Sequence, residues 1–109
     1  AQLAAIAKAA SGVPACDVDA AARCIIEKEG FGPAFGHSTG HGVGLKVHEE
    51  PNASPRSKDI LHTGNIISAE PGIYLDGKFG VRIEDLILIT ENGCEVLSKA
   101  PKDLMILSK

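Results

Sequence analysis

The residues best suited to chemistry are three histidines, His37, His41 and His48, and two glutamates, Glu70 and Glu84, with Arg82 beside the second. His37 and His41 are four apart, the spacing at which a helix presents two imidazoles to one zinc ion. That motif needs a helix and a glutamate after the first histidine. Here Ser38 follows His37, and Gly40, Gly42 and Gly44 oppose a helix, so the helical zinc-protease reading is rejected. The glutamates form a different constellation. Each lies seven residues from Gly77, the centre of an Asp76-Gly77-Lys78 turn. A hairpin folded about that turn places Glu70 directly across from Glu84 on one face of a sheet. Like charges in cross-strand register are destabilising, and among Ile66, Ile67, Ile83, Leu86 and Ile87 the cost rises. A cation or a shared proton between the carboxylates makes such a pair tolerable. Arg82 shares the strand face of Glu84, where it can neutralise one carboxylate or bind an anionic group. One imidazole with several carboxylates suits Mn²⁺, Co²⁺, Fe²⁺ or Zn²⁺. Two bridging carboxylates suit a two-metal site that activates water.

The elements that must position these groups follow from periodicity and punctuation. Residues 1–10 are expected to be helical, stopped by Ser11-Gly12 with Pro14 beyond. A second helix is expected from about Asp17, with Asp17 or Cys16 at its cap. Val18, Ala21, Ala22, Ile25 and Ile26 recur at helical spacing, and Gly30 closes it. From Gly36 to Gly44 the glycines predict a loop that runs into a strand at 43–47. Residues 49–63, polar and holding Pro51 and Pro55, are expected to be a loop that keeps Glu49, Glu50 and His62 in solvent. Strands follow at 66–70, 72–75 and 81–90. Asn92-Gly93 then turns the chain into a strand at 94–97, and the apolar tail 104–107 is expected to pair or pack. Helices first and an antiparallel sheet after make an α+β pattern. One difficulty is visible at once. His48 is seven residues from His41, so a flat strand would point them to opposite faces; a bulge or a bend is required to bring them together.

Composition bounds the rest. The chain has 109 residues, enough for one domain at most. Its 11 basic and 14 acidic residues leave a net charge of −3, without the clustered basic surface of a nucleic-acid binder. No apolar run approaches the roughly 20 residues of a membrane helix. Three cysteines, Cys16, Cys24 and Cys94, are an odd count with no C-x-x-C pair. They suggest neither a zinc ribbon nor a disulfide framework, fit a reducing cytoplasm, and are expected to be small core residues. Trp is absent and aromatics are 4%, so Ala, Val, Ile and Leu must build the core. The chain opens on Ala1-Gln2-Leu3 within a helical pattern, and is expected to be a piece of something longer.

Three ordered motifs now resemble one family. Gly36-His37-Ser38-Thr39-Gly40-His41-Gly42-Val43-Gly44-Leu45 through His48-Glu49-Glu50-Pro51, then Ser68-Ala69-Glu70-Pro71-Gly72-Ile73-Tyr74, then Val81-Arg82-Ile83-Glu84-Asp85, are similar to the proline-specific metallopeptidases of the creatinase or pita-bread fold. These are the Xaa-Pro dipeptidases (prolidases) and aminopeptidases P. The resemblance spans nearly the whole chain, including Val18 to Arg23 and Pro101 to Leu104. It implies an α+β fold, N-terminal helices followed by a curved antiparallel sheet, equal to half of a pita-bread unit. It implies His41, Glu70 and Glu84 as metal ligands, Glu84 bridging two ions. It assigns His48 to substrate contact and stabilisation of the tetrahedral intermediate, and His37 to the substrate pocket. Arg82 stands in the place of the arginine beside the bridging glutamate. The implied cofactors are two divalent ions, Mn²⁺ or Co²⁺ first and Zn²⁺ also fitting. The implied reaction is hydrolysis of the bond before proline in a dipeptide or short peptide, with no nucleic-acid or membrane partner.

The departure from the family is as informative. The family's two aspartate ligands have no counterpart among Asp17, Asp19, Asp59, Asp76, Asp85 and Asp103. Residues 1–109 are therefore expected to be the C-terminal part of a catalytic domain whose first half is absent, carrying three of five ligands and inactive alone. Such a half would expose an apolar sheet face and self-associate, its parent being a homodimer. Two alternatives stand beside this reading. One is a methionine aminopeptidase-like enzyme, which the Arg82-Ile83-Glu84-Asp85 strand disfavours. The other is a non-catalytic module that has kept the fold for binding.

Overall fold

The computed structural model describes residues 1–108. Two helices, α1 (Gln2–Lys8) and α2 (Ala15–Lys28), precede a short 3₁₀ turn at Gly32–Ala34 and seven strands. These are β1 (Gly40–Gly42), β2 (Glu49–Ala53), β3 (Ile66–Ala69), β4 (Gly72–Leu75), β5 (Phe79–Arg82), β6 (Asp85–Thr90) and β7 (Gly93–Val96). Five of them form an antiparallel sheet ordered β2-β1-β3-β6-β7, and β4 pairs with β5 as a separate hairpin. This is the α+β arrangement read from the sequence.

The helices pack on one face of the large sheet. Strand β6 alternates buried and half-buried residues, and its buried Ile87 and Ile89 join Ile67 of β3 beneath Ala5, Val18 and Ala22 of the helices. Each such isoleucine contributes about 1.5–3 kcal/mol on leaving water. Alanines on the helices let backbone approach backbone, which suits a chain with few aromatics. Cys94 sits where α1 meets β7, its Sγ 3.3 Å from the Ile6 carbonyl, and burial pushes its thiol above the ordinary value.

Several local expectations give way to long-range contacts. Helix α2 begins at Ala15 behind Pro14, with no side-chain cap from Cys16 or Asp17. The Ala15 N–H instead donates to the Asp59 carbonyl, the Gly12 N–H donates to the Leu61 carbonyl, and the Leu61 N–H donates to the Val13 carbonyl. Asp17 stays in the first turn and pairs with Lys8 at 3.7 Å. The strand expected at 43–47 is a loop; pairing occurs earlier, in β1, and later, in β2. Pro51 is compatible with a strand because β2 lies at the sheet edge, where a missing N–H costs nothing. Glu49 therefore belongs to a strand, and its carboxylate accepts the Lys46 N–H at 2.8 Å. The expected strand 81–90 divides between β5 and β6. Cys24 is exposed rather than in the core, and Leu104 to Leu107 lie exposed beyond the sheet.

A buried ion pair ties helix α2 to the start of β1. Asp19, 1% exposed, accepts Arg23 Nε at 2.7 Å and Nη2 at 2.9 Å. It also accepts the Thr39 N–H at 3.0 Å and Thr39 Oγ1–H at 2.9 Å. Arg23 in turn donates to the Phe35 and His37 carbonyls at 3.0 and 2.8 Å. Removing one member of such a buried pair leaves an uncompensated charge. Asp19→Ala is therefore expected to lower stability by about 3–5 kcal/mol, read from urea denaturation. Thiol labelling offers a second check. Cys24 should react fastest and Cys94 slowest. As pH rises through the ordinary thiol range the unfolded chain ionises first, so the Cys94 contribution to stability falls with alkalinity.

Candidate functional site

The glycine-rich approach leaves Asp19 at Thr39 and enters β1 at Gly40. A side chain at Gly40 would overlap the Ser68 carbonyl, and one at Gly42 would overlap that of Glu50. Only glycine lets β1 lie this close to both neighbours. Between them, His41 projects into the site. Its backbone N–H donates to Ser68 Oγ at 3.0 Å, and the same hydroxyl donates to Glu70 Oε1 at 2.8 Å. The Glu70 N–H donates to the Thr39 carbonyl at 2.7 Å. The ligand-type side chains are thus held through Thr39 and Ser68.

His41 Nδ1 lies 2.9 Å from the Gly42 carbonyl. A carbonyl only accepts, so Nδ1 carries the proton and the neutral ring presents a lone pair at Nε2. That nitrogen is 2.9 Å from Glu70 Oε1, itself an acceptor already bonded to Ser68. Two lone pairs facing each other call for a cation, either a proton or a metal ion. On the other side of Glu70, Arg82 Nε lies 3.7 Å from Glu70 Oε2 and 3.5 Å from Glu84 Oε2. One positive group therefore already reaches both carboxylates, and Glu84 is turned onto it rather than toward His41. Among the described residues no three His, Cys, Asp or Glu side chains converge as a metal-holding group; His41 and Glu70 form the converging pair. The donor chemistry, one imidazole with carboxylates, fits a divalent ion of the Mn, Co or Zn type.

The ladder pairing centred on Gly77 is present on both sides of the glutamates. Gly72 pairs with Arg82 in the hairpin, and Ala69 pairs with Asp85 in the large sheet. Glu70 and Glu84 fall at the joint between these ladders. The bulge that the His41 to His48 spacing requires also exists, as a register shift between His41 and Gly42. It brings the two rings edge-on with centroids 4.4 Å apart. His37 stands apart from this pair. Its Nε2 is 2.8 Å from the Tyr74 hydroxyl, and its ring meets that of Phe35 edge-on at 5.1 Å. Tyr74 first, then Glu84 and Glu70, holds the Arg82 guanidinium above its ordinary value. A groove of about 540 Å³ runs past His41 and His48 to Asn52, Arg56 and Lys58. His62 remains exposed in its loop.

Ser68, Tyr74 and the Asp19–Arg23 pair are site residues that spacing alone did not single out. The signals existed. Ser68 is two before Glu70 on one strand face, and Tyr74 is diagonal to Arg82 in the hairpin register. Asp19 and Arg23 are four apart on a helix.

Comparison with known proteins gives a consistent picture. The model of metallopeptidase family M24 matches residues 1–91. The chain is 48% identical over 107 residues to the uncharacterized peptidase YqhT of Bacillus subtilis, covering 98% of this chain and 30% of that protein. It is 48% identical over 105 residues to an Xaa-Pro dipeptidase of Pyrococcus horikoshii, covering 96% of this chain and again 30% of the relative. Among solved structures, an Xaa-Pro dipeptidase from Bacillus anthracis superposes with a TM-score of 0.95 at 46% identity, over 97% of this chain and 30% of that one. The chain thus spans about 30% of the length of the relatives it matches. Within the site, Ser68→Ala leaves the His41 N–H without its acceptor. It is expected to cost about 1–3 kcal/mol, measured by thermal melting.

Proposed function

The chain belongs to metallopeptidase family M24, its α+β fold matching part of the pita-bread enzymes, and on that premise we propose that it contributes a metal-binding and substrate-binding half-site to an Xaa-Pro peptidase. In this reading residues 1–109 form the C-terminal part of the catalytic domain. His41, Glu70 and Glu84 would hold divalent ions, Mn²⁺ or Co²⁺ before Zn²⁺, and further ligands would come from chain outside these residues. The observation that carries the reading is the His41 lone pair set 2.9 Å from a carboxylate oxygen, with one guanidinium spanning that carboxylate and Glu84.

When bound, such ions supply an activated water and a Lewis acid for the peptide carbonyl. The chain's own residues do the rest. Ser68 keeps one oxygen of Glu70 oriented, and the Gly42 carbonyl keeps the His41 tautomer correct for ligation. His48, packed against the His41 ring, donates to the oxygen on which charge develops. Arg82 keeps Glu84 within reach of the site and limits the repulsion between the two glutamates. His37 and Tyr74 form one wall for the proline side of a short peptide. The groove carries charge of both signs, Arg56 and Lys58 standing with Glu49, Glu50 and Asp59. Three free cysteines fit a reducing cytoplasm. The exposed apolar side chains of the hairpin, Phe79 and Val81 among them, favour self-association of this chain and a homodimeric parent.

Metal analysis and Xaa-Pro cleavage test the reading together. The 109-residue chain alone should show no proline-peptide hydrolysis. In an enzyme containing this segment, His41→Ala and Glu84→Gln should lose bound metal. His48→Ala should keep the metal and lower kcat by about 10²–10³-fold. Full metal content after His41→Ala would overturn the assignment. Sedimentation of the chain should show association at high concentration, and a monodisperse monomer there would remove the self-association part.

A further inference from the structure

Arg23 is not in the groove, yet it grips the backbone that delivers His37. Its guanidinium lies 4.1 Å above the Phe35 ring and donates to the Phe35 and His37 carbonyls at 3.0 and 2.8 Å. Its other edge is closed onto Asp19, so the fork cannot rotate away. His37 Nδ1 lies 2.7 Å from the Ser38 carbonyl, which can only accept. The proton is therefore on Nδ1, and in the neutral ring Nε2 accepts from the Tyr74 hydroxyl at 2.8 Å. Tyr74 lies diagonal to Arg82 in the hairpin register, and Arg82 is the residue that spans Glu70 and Glu84. A continuous chain of directed contacts thus runs from a buried helix pair to the hairpin.

We propose that Arg23 is a positioning residue for the site, holding His37 so that its ring fixes Tyr74 on the hairpin that carries Arg82. Its importance to catalysis rests on the peptidase reading, but the positioning itself is measurable without metal or substrate. The chain has one tyrosine and no tryptophan, so its ultraviolet emission reports Tyr74 alone. An imidazole accepting the phenol proton quenches that emission. His37→Phe removes the acceptor and sets the released level. Arg23→Lys keeps the charge facing Asp19 but loses the fork that reaches two carbonyls. It is expected to keep the fold by circular dichroism and to raise the emission toward the His37→Phe level. In the His37→Phe background the same substitution should add nothing, because Arg23 acts through His37.

Unchanged emission in a folded Arg23→Lys chain overturns the proposal, as does an equal effect in both backgrounds. If Arg23→Lys and Arg23→Met both fail to fold, the residue is structural only, and the proposal is likewise overturned. Failure of the metal analysis would strike the peptidase reading and leave this emission result standing.

Discussion

A single buried carboxylate sets the frame on which the site is built. Asp19 has almost no contact with water, so its charge must be met entirely within the protein. Arg23 meets it with two bonds from the same helix, and Thr39 meets it with two more from the start of the glycine-rich approach. Thr39 is also where the sheet side of the site begins, because its carbonyl takes the Glu70 N–H. The glycine run between Phe35 and Gly44 would otherwise carry a large conformational entropy. Fixing it at Thr39 removes that freedom two residues before His41, and Ser68 fixes it again at His41 itself. His41 and Glu70 are part-buried and Glu84 is exposed, and the groups that aim the first two are buried.

Two histidines use one device toward different ends. In each, the Nδ1–H is committed to the carbonyl of the following residue, Ser38 for His37 and Gly42 for His41. Each ring therefore presents Nε2 to its surroundings. His37 Nε2 faces a hydroxyl, which can donate, and the contact is complete as it stands. His41 Nε2 faces a carboxylate oxygen, which cannot. The difference lies only in the partner, yet it makes one contact a complete hydrogen bond and the other a site that calls for positive charge. Arg82 answers part of the same demand from the far side of Glu70, and the half-exposed setting of Arg82 and Glu84 keeps that ion pair screened and weak.

What the sequence disclosed depended on whether the cause was local. The hairpin about Gly77 and the register it imposes could be read, and that register extends into β3 and β6, where Ile67 pairs with Ile87. The bulge near His41 could be demanded from an odd spacing alone. The start of α2 could not be read, because its first amide is met by the Asp59 carbonyl, distant in sequence. Strand β2 was hidden by Pro51, whose tolerance depends on an edge position that only the assembled sheet reveals. The turn of Glu84 toward Arg82 was not legible either. It follows from the balance between two carboxylates and one guanidinium, a property of the assembled site.

The break in the sheet explains why both glutamates can serve one site. A continuous ladder through Glu70 and Glu84 would hold them opposite each other, with their charges locked in register. The ladder does not continue. Pro71 has no N–H to give, and the Glu70 N–H is directed to Thr39 instead. The pairing resumes at Gly72 with Arg82, in the same register but in a separate hairpin. At the joint the backbone is freed from the pleat, so Glu70 can turn to His41 and Glu84 to Arg82. The sheet is interrupted where two like charges would otherwise face each other, and each carboxylate meets a partner of its own.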